Sequence, residues 1–235
     1  MFFGYFYGDW SILIVLPALI FTLWAQSAVR SAYQQYSRVR NARGMTGAEA
    51  ARRILDQNGL RHVAIECISG EMTDHYDPKA EVIRLSEGVY NNPSVAAVGI
   101  AAHEAGHAVQ HATDYDALKL RNSIIPVCRF GSMAAMPLFF IGLLLASDML
   151  LTVGILAYAT VTLFQLITLP VEFNASRRAM EAIESWGYMS KEESDGSRRV
   201  LRAAAMTYVA ALAVTLAQIL RLLLIVANAS GRRRD

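Results

Sequence analysis

The sequence has little of what an ordinary soluble or secreted protein carries. Cysteine is nearly absent: Cys67 and Cys128 lie far apart in the chain, which leaves no disulfide framework and no cysteine cluster with metal-ligand spacing. Charge is scarce as well. Charged residues make up 18% of the 235 residues and hydrophobic ones 54%, too apolar for a typical soluble chain, so much of it belongs in lipid. The net charge is only +2, and no aromatic-basic stripe or nucleic-acid motif accompanies the arginines, so they read as membrane-orienting residues and no nucleic-acid partner is expected. The opening "MFFGYFYGDW" contains no Lys or Arg; it lacks the positive start of a cleavable signal peptide and reads as an aromatic belt leading into a retained span. Internal repeats and low-complexity linkers are missing too.

What is present is four long apolar runs. The first, about Trp10 to Val29, has no charge and enough residues to cross a bilayer, with Pro17 as a kink. The second, Phe130 to Ser147, and the third, Met149 to Leu169, are separated by Asp148 and read as a helical hairpin with a very short turn. The fourth, Ala204 to Asn228, is interrupted by Gln218 and Arg221, the latter read as snorkelling or partnered. These runs divide the chain into an N-terminal transmembrane helix (1–29), a polar region (30–122), the hairpin (130–169), a second polar segment (170–203), a transmembrane or interfacial helix (204–228) and a basic tail (229–235). Arg30, Arg38, Arg40, Arg43, Arg52 and Arg53 follow the first span, and Arg177, Arg178, Arg198, Arg199 and Arg202 follow the third. Both polar regions are therefore expected on the cytoplasmic side of the membrane. Parity then puts Arg232, Arg233 and Arg234 outside, against that rule, unless the fourth segment is re-entrant or interfacial.

The first polar region has a pattern of its own. "TGAEAARRILDQNGL" opens with Thr46 and Glu49 at capping-box spacing, sets Ala50, Ile54 and Leu55 on one face and stops near Asn58-Gly59, an amphipathic helix. "HVAIECI" and "AEVIRLS" read as strands flanking the turn-rich "SGEMTDHYDPK", a small sheet or hairpin whose "EVIRLS" strand could pair with an extended peptide at a sheet edge. Pro93 can open a helix, and "PSVAAVGIAAHEAGHAVQHA" continues it over 93–112.

That helix contains His103, Glu104 and His107 in the order H-E-x-x-H. Residues four apart share a helix face, so the two imidazoles can be offered to one cation, while Glu104 is displaced round the helix towards water on that cation. A catalytic zinc needs a third protein ligand and an open position. His111 is nearest in sequence, but eight residues of helix are roughly 12 Å, so it reads as an outer neighbour or a polar surface residue. A metzincin would carry Gly and His where this chain has Gln110 and Thr113. An intramembrane site-two protease would need an Asp inside a later span, and there is none. Glu172, in "TLPVEFNASRRAMEAIES", stands beside the third apolar run, where a carboxylate is costly unless compensated. A zinc ion would compensate it; so would pairing with Arg177 or Arg178.

"AAHEAGHAVQHA", "LPVEFNASRRA" and "DHYDPKAEVIRLS", together with the four-span layout, resemble the YugP-type neutral zinc metallopeptidases of bacterial membranes over nearly the whole chain. More distantly the chain is similar to HtpX-like membrane gluzincins. The resemblance implies a mainly α multi-span membrane protein with a small α+β zincin-like region, one zinc ion per chain, His103, His107 and Glu172 as ligands, and Glu104 as general base in peptide-bond hydrolysis. The HtpX-like pattern has Asp four residues after the glutamate ligand, where this chain has Ser176; Ser176 or Asn174 would then support a ligand from behind. His75, Tyr76, Arg177 and Arg178 are candidates to steady a developing oxyanion, with turn or ion-pair roles as the commoner alternative. Peptides or membrane proteins are the expected substrates, with membrane-protein quality control as the setting. The competing expectation is a zinc-binding membrane pseudoprotease, regulator or scaffold.

Overall fold

The computed structural model describes residues 10–231. Residues 1–9 of the aromatic opening and the arginines of the basic tail, both read above from sequence, lie outside them. The chain is mainly helical, with seven α-helices and one three-stranded sheet among the described residues, and it divides into two compact units.

One unit comprises residues 25–119 and 169–207. Its centre is helix α4, Val95–Ala112, which is apolar nearly all round and buried along most of its length. A run of Ala96, Ala97, Ala101, Ala102, Ala105 and Ala108 keeps its flanks thin, so neighbours approach closely on every side. Helix α2, Gly47–Gln57, packs on it through Ala50, Ala51, Ile54 and Leu55. The capping box is formed as expected: the Glu49 N–H donates to Thr46 Oγ1 and the Thr46 N–H to Glu49 Oε2. The helix ends at Asn58, where Gly59 adopts φ +76°, a conformation open to glycine at little cost. Helix α4 starts two residues later than Pro93, because the Ser94 hydroxyl caps it by accepting from the Ala97 N–H. The Pro93 carbonyl is engaged outside the helix, by Asn41.

The sheet departs from the simple hairpin. Strands β1 (Ala64–Ile68) and β3 (Val82–Ser86) run parallel, and the expected turn holds a third strand, β2 (His75–Asp77), antiparallel to β3. Strand order is β1-β3-β2. "EVIRLS" is thus the central strand with both edges paired, and it has no edge to offer a peptide. Burial explains the choice: Val82, Ile83, Leu85 and Ser86 are enclosed, and Arg84, the strand's only half-buried residue, bridges to Glu66 on β1 and Asp77 on β2. The Asp77-Pro78 turn forms as expected, with Asp77 Oδ1 accepting from the Lys79 and Ala80 N–H groups. A short helix α3, Glu87–Tyr90, then leads to α4.

The other unit comprises described residues 10–24, 120–168 and 208–231. A short 3-10 turn, Trp10–Ile14, precedes α1, Leu16–Tyr36. Helices α5 (Asp116–Leu144) and α6 (Asp148–Ser185) form the hairpin. Asp148 is the first residue of α6, the turn being residues 145–147. Phe139, Leu151 and Leu222 form a buried cluster here, and Gly142 and Gly154 let the α5 and α6 backbones approach. Large apolar side chains such as Phe130, Met133 and Met149 face outwards. Four helical stretches, Trp10–Tyr36, Asp116–Leu144, Asp148–Ser185 and Lys191–Asn228, are long and apolar enough to cross a membrane.

Three of these helices outrun the apolar runs. The second begins at Asp116, not Phe130, and the third continues through Pro170 to Ser185. Helix α7, Lys191–Gly231, begins in the polar segment and continues unbroken through the fourth apolar run, so it contains no re-entrant turn. The extension of α6 is held by packing: Val171, Ala175, Ala179, Met180, Ala182 and Ile183 recur at helical spacing and are buried. One hydrogen bond lost at Pro170 does not outweigh that stripe.

Candidate metal centre

Helix α4 and the C-terminal part of α6 meet within the unit of residues 25–119 and 169–207, and the contact is made by backbone. Gly106, inside H-E-A-G-H, faces the Ala175 main chain with no side chain between. This places residues 103–107 of α4 opposite residues 172–176 of α6. His103 Nε2 lies 3.3 Å, and His107 Nε2 3.6 Å, from Glu172 Oε2. The two imidazole rings stand edge to face, 83° apart, with centroids at 4.7 Å. The Glu172 side chain is 4% exposed, those of His103 and His107 15% and 12%. Two nitrogens and one oxygen thus converge from a buried floor towards a less buried mouth.

Ligand atoms of His103, His107 and Glu172 all lie within 4.8 Å of one another, a group that could hold a metal ion. The donor set fits zinc: two imidazole nitrogens and one carboxylate oxygen are a three-ligand arrangement that leaves a coordination position open. Arg177 and Arg178, the competing partners for Glu172, are otherwise engaged. Arg177 pairs with Glu181 one turn on, at 2.6 Å. The Arg178 Nε donates to Asn174 Oδ1 at 2.9 Å, and its Nη2 to Thr113 Oγ1.

Glu104 is buried, 8% exposed. Burial pushes the His107 imidazole down, but its pairing with Glu172 and the charge of Glu104 outweigh that and hold its pKa above the ordinary value. The pocket of two carboxylates therefore favours positive charge between them.

The far nitrogens of both rings are also held. Ser176 Oγ lies 3.1 Å from His103 Nδ1, so the residue standing in place of the HtpX-like Asp does contact a histidine of the group. Gln110 Oε1 lies 3.0 Å from His107 Nδ1, and the Gln110 amide nitrogen donates to the Val171 carbonyl and to Asn174 Oδ1. Sequence reading used Gln110 only to exclude the metzincin pattern. Its position three residues after His107, on the same helix face, is the signal that would have found it.

The remaining candidates lie apart in their contacts. His111 Nδ1 and the Tyr76 hydroxyl are 2.9 Å from each other. Burial, with the charges of Glu81 and Asp77, pushes the Tyr76 hydroxyl up to about 12, so it keeps its proton. The pair lines a cavity of about 300 Å³ with Leu60, Val63 and Ala108. His75 is exposed, with Nδ1 2.8 Å from the Thr73 carbonyl, a local turn contact.

The family described as "Putative neutral zinc metallopeptidase" matches residues 11–227 of the chain. A relative from Bacillus subtilis (strain 168), described as "Putative membrane protease YugP", is 49% identical over 217 residues, covering 92% of this chain and 96% of its own length. No solved structure matches.

Proposed function

The chain belongs to the family described as "Putative neutral zinc metallopeptidase", and from that membership we propose that it is an integral membrane zinc metalloendopeptidase in which His103, His107 and Glu172 hold one zinc ion and Glu104 is the general base. The observation that carries this reading is the convergence of both imidazole Nε2 atoms, at 3.3 and 3.6 Å, on one Glu172 carboxylate oxygen. Zinc bound there supplies Lewis acidity, polarising a peptide carbonyl and making water a stronger acid.

The protein's own groups do the rest. Glu104 follows His103 directly, so its carboxylate leaves the helix about a quarter-turn from the ligand face. From there it accepts a proton from the attacking water and returns it to the leaving amine nitrogen. Burial of Glu104 and Glu172 strengthens every electrostatic interaction at the site relative to open water. The arginines after the first and third spans orient the site to the cytoplasm. Peptide segments reaching it from the cytoplasm or the bilayer edge are the proposed substrates, misfolded membrane proteins among them.

The test is cleavage of a broad peptide library by purified full-length protein, wild type against Glu104→Gln, with zinc content measured in both. Both proteins should bind one zinc, and the variant should lose about 10²–10⁴-fold in rate, the range for a general base. Equal cleavage by both removes Glu104 from the mechanism. Stoichiometric zinc without cleavage by the wild type supports a non-catalytic metal-binding protein instead.

A further inference from the structure

We infer that Gln110 is a positioning residue for this centre, whose locked amide obliges His107 to carry a proton on Nδ1 and so makes Nε2 the nitrogen that can give its lone pair to a metal ion beside Glu172; this rests on the zinc-site reading above. The deduction needs only donor and acceptor inventories. The Gln110 amide nitrogen lies 2.8 Å from the Val171 carbonyl and 3.0 Å from Asn174 Oδ1. A backbone carbonyl can only accept. Asn174 presents its oxygen, because the same atom accepts from Arg178 Nε at 2.9 Å and a guanidinium has no acceptor. Turning the Gln110 amide over would set oxygen against two oxygens in a fully buried position. The amide oxygen therefore faces His107 Nδ1, 3.0 Å away, and an amide oxygen can only accept. His107 Nδ1 must be the donor.

In a neutral imidazole with a proton on Nδ1, the other nitrogen holds the lone pair that a metal needs. Because Val171 directly precedes Glu172, the same amide also ties the α6 turn carrying one ligand to the α4 turn carrying another. Ser176 cannot do this for His103: a hydroxyl both donates and accepts, so its 3.1 Å contact leaves that tautomer open. The two histidines are thus held unequally, and Gln110 is the residue that determines a tautomer.

The experiment uses full-length protein labelled with ¹⁵N-histidine and loaded with zinc, reading the Nδ1–H protons together with zinc affinity by chelator competition. In the wild type, the His107 Nδ1–H should be shielded from solvent exchange. Gln110→Met, which keeps the side chain's length and removes its acceptor, should lose that signal and about 10–100-fold in zinc affinity, the usual effect of removing a ligand's outer partner. Ser176→Ala should alter only the His103 signal. A Gln110→Met protein with an unchanged His107 signal and wild-type affinity overturns the inference. So does a wild-type His107 Nδ1–H that exchanges as fast as free imidazole, which needs no variant to fold. Wild-type protein that takes up zinc without perturbing either histidine would instead sink the zinc-site reading itself.

Discussion

Gly106 and Ala175 are in backbone contact: a Cβ on Gly106 would stand 2.7 Å from the Ala175 carbonyl oxygen and 3.3 Å from its Cα. The obstacle is main chain on a neighbouring helix and cannot swing away. Gly106→Ala would gain up to ~1 kcal/mol of helix propensity, but overpacking costs about 1–3 kcal/mol. We expect net destabilisation, and weaker zinc binding because Glu172 is pushed from the histidines. Chemical denaturation and chelator competition check both; a more stable variant with unchanged zinc affinity would contradict the contact.

Glu172 and Arg177 offer a direct contrast on one helix. Glu172→Gln should lower zinc affinity by more than the 10–100-fold typical of an outer partner, since the proposed charged ligand is removed. Arg177→Ala should leave affinity unchanged, because Arg177 pairs with Glu181 at the surface. Isothermal titration of both proteins decides it, and equal losses would return Glu172 to a structural role.

Tyr76→Phe removes one hydrogen bond, to His111 Nδ1. The expected cost is about 0.5–1.5 kcal/mol of stability, with zinc content and peptide cleavage retained. A fall in kcat greater than 10²-fold at full zinc occupancy would make the pair part of the chemistry.

Asp77 supplies a pH-dependent contribution. The hydrogen bond from Arg84, with those from the Ala80 and Lys79 N–H groups, holds its carboxyl below the ordinary value. Its folded pKa is depressed, so this stabilisation is complete above the unfolded carboxylate pKa near ~3.9. It is lost as pH falls through the lower folded value. Thermal unfolding between neutral pH and pH ~3 should show a smaller acid-induced drop for Asp77→Asn than for wild type; identical curves would remove Asp77 from the pH response.

The two cysteines report the proposed orientation. Cys67 is exposed on β1, whereas Cys128 is buried in the hairpin with its Sγ donating to the Thr160 carbonyl. A membrane-impermeant maleimide should label Cys67 only after the cells are opened, and Cys128 not at all. Labelling of Cys67 in intact cells would invert the topology.

Local signals carried the helices and their caps. Thr46 with Glu49, and Asn58 with Gly59, announced both ends of α2, and H-E-x-x-H announced its own helix, because each depends on spacing within a few residues. The apolar runs announced the spans for the same reason. They understated α5, α6 and α7, since a window of apolar residues does not register a helix prolonged by an amphipathic stripe such as Val171, Ala175, Ala179 and Ile183. The small sheet was legible, but the place of "EVIRLS" in it was misjudged because strand order is a non-local choice: β3 became central through burial on both sides, and the segment that looked like turn supplied its second neighbour.

The sequence by itself determined the membrane character, the spacing that sets His103 and His107 on one helix face, and Glu172 as a carboxylate whose place beside lipid called for compensation. Tertiary structure decided which partner Glu172 meets, how closely α4 and α6 approach at Gly106, and that Gln110 rather than His111 stands behind His107. Spacing along one helix specifies a shared face, but convergence of side chains from two helices depends on where their backbones touch. Here that contact exists because one position between the two histidines has no side chain at all.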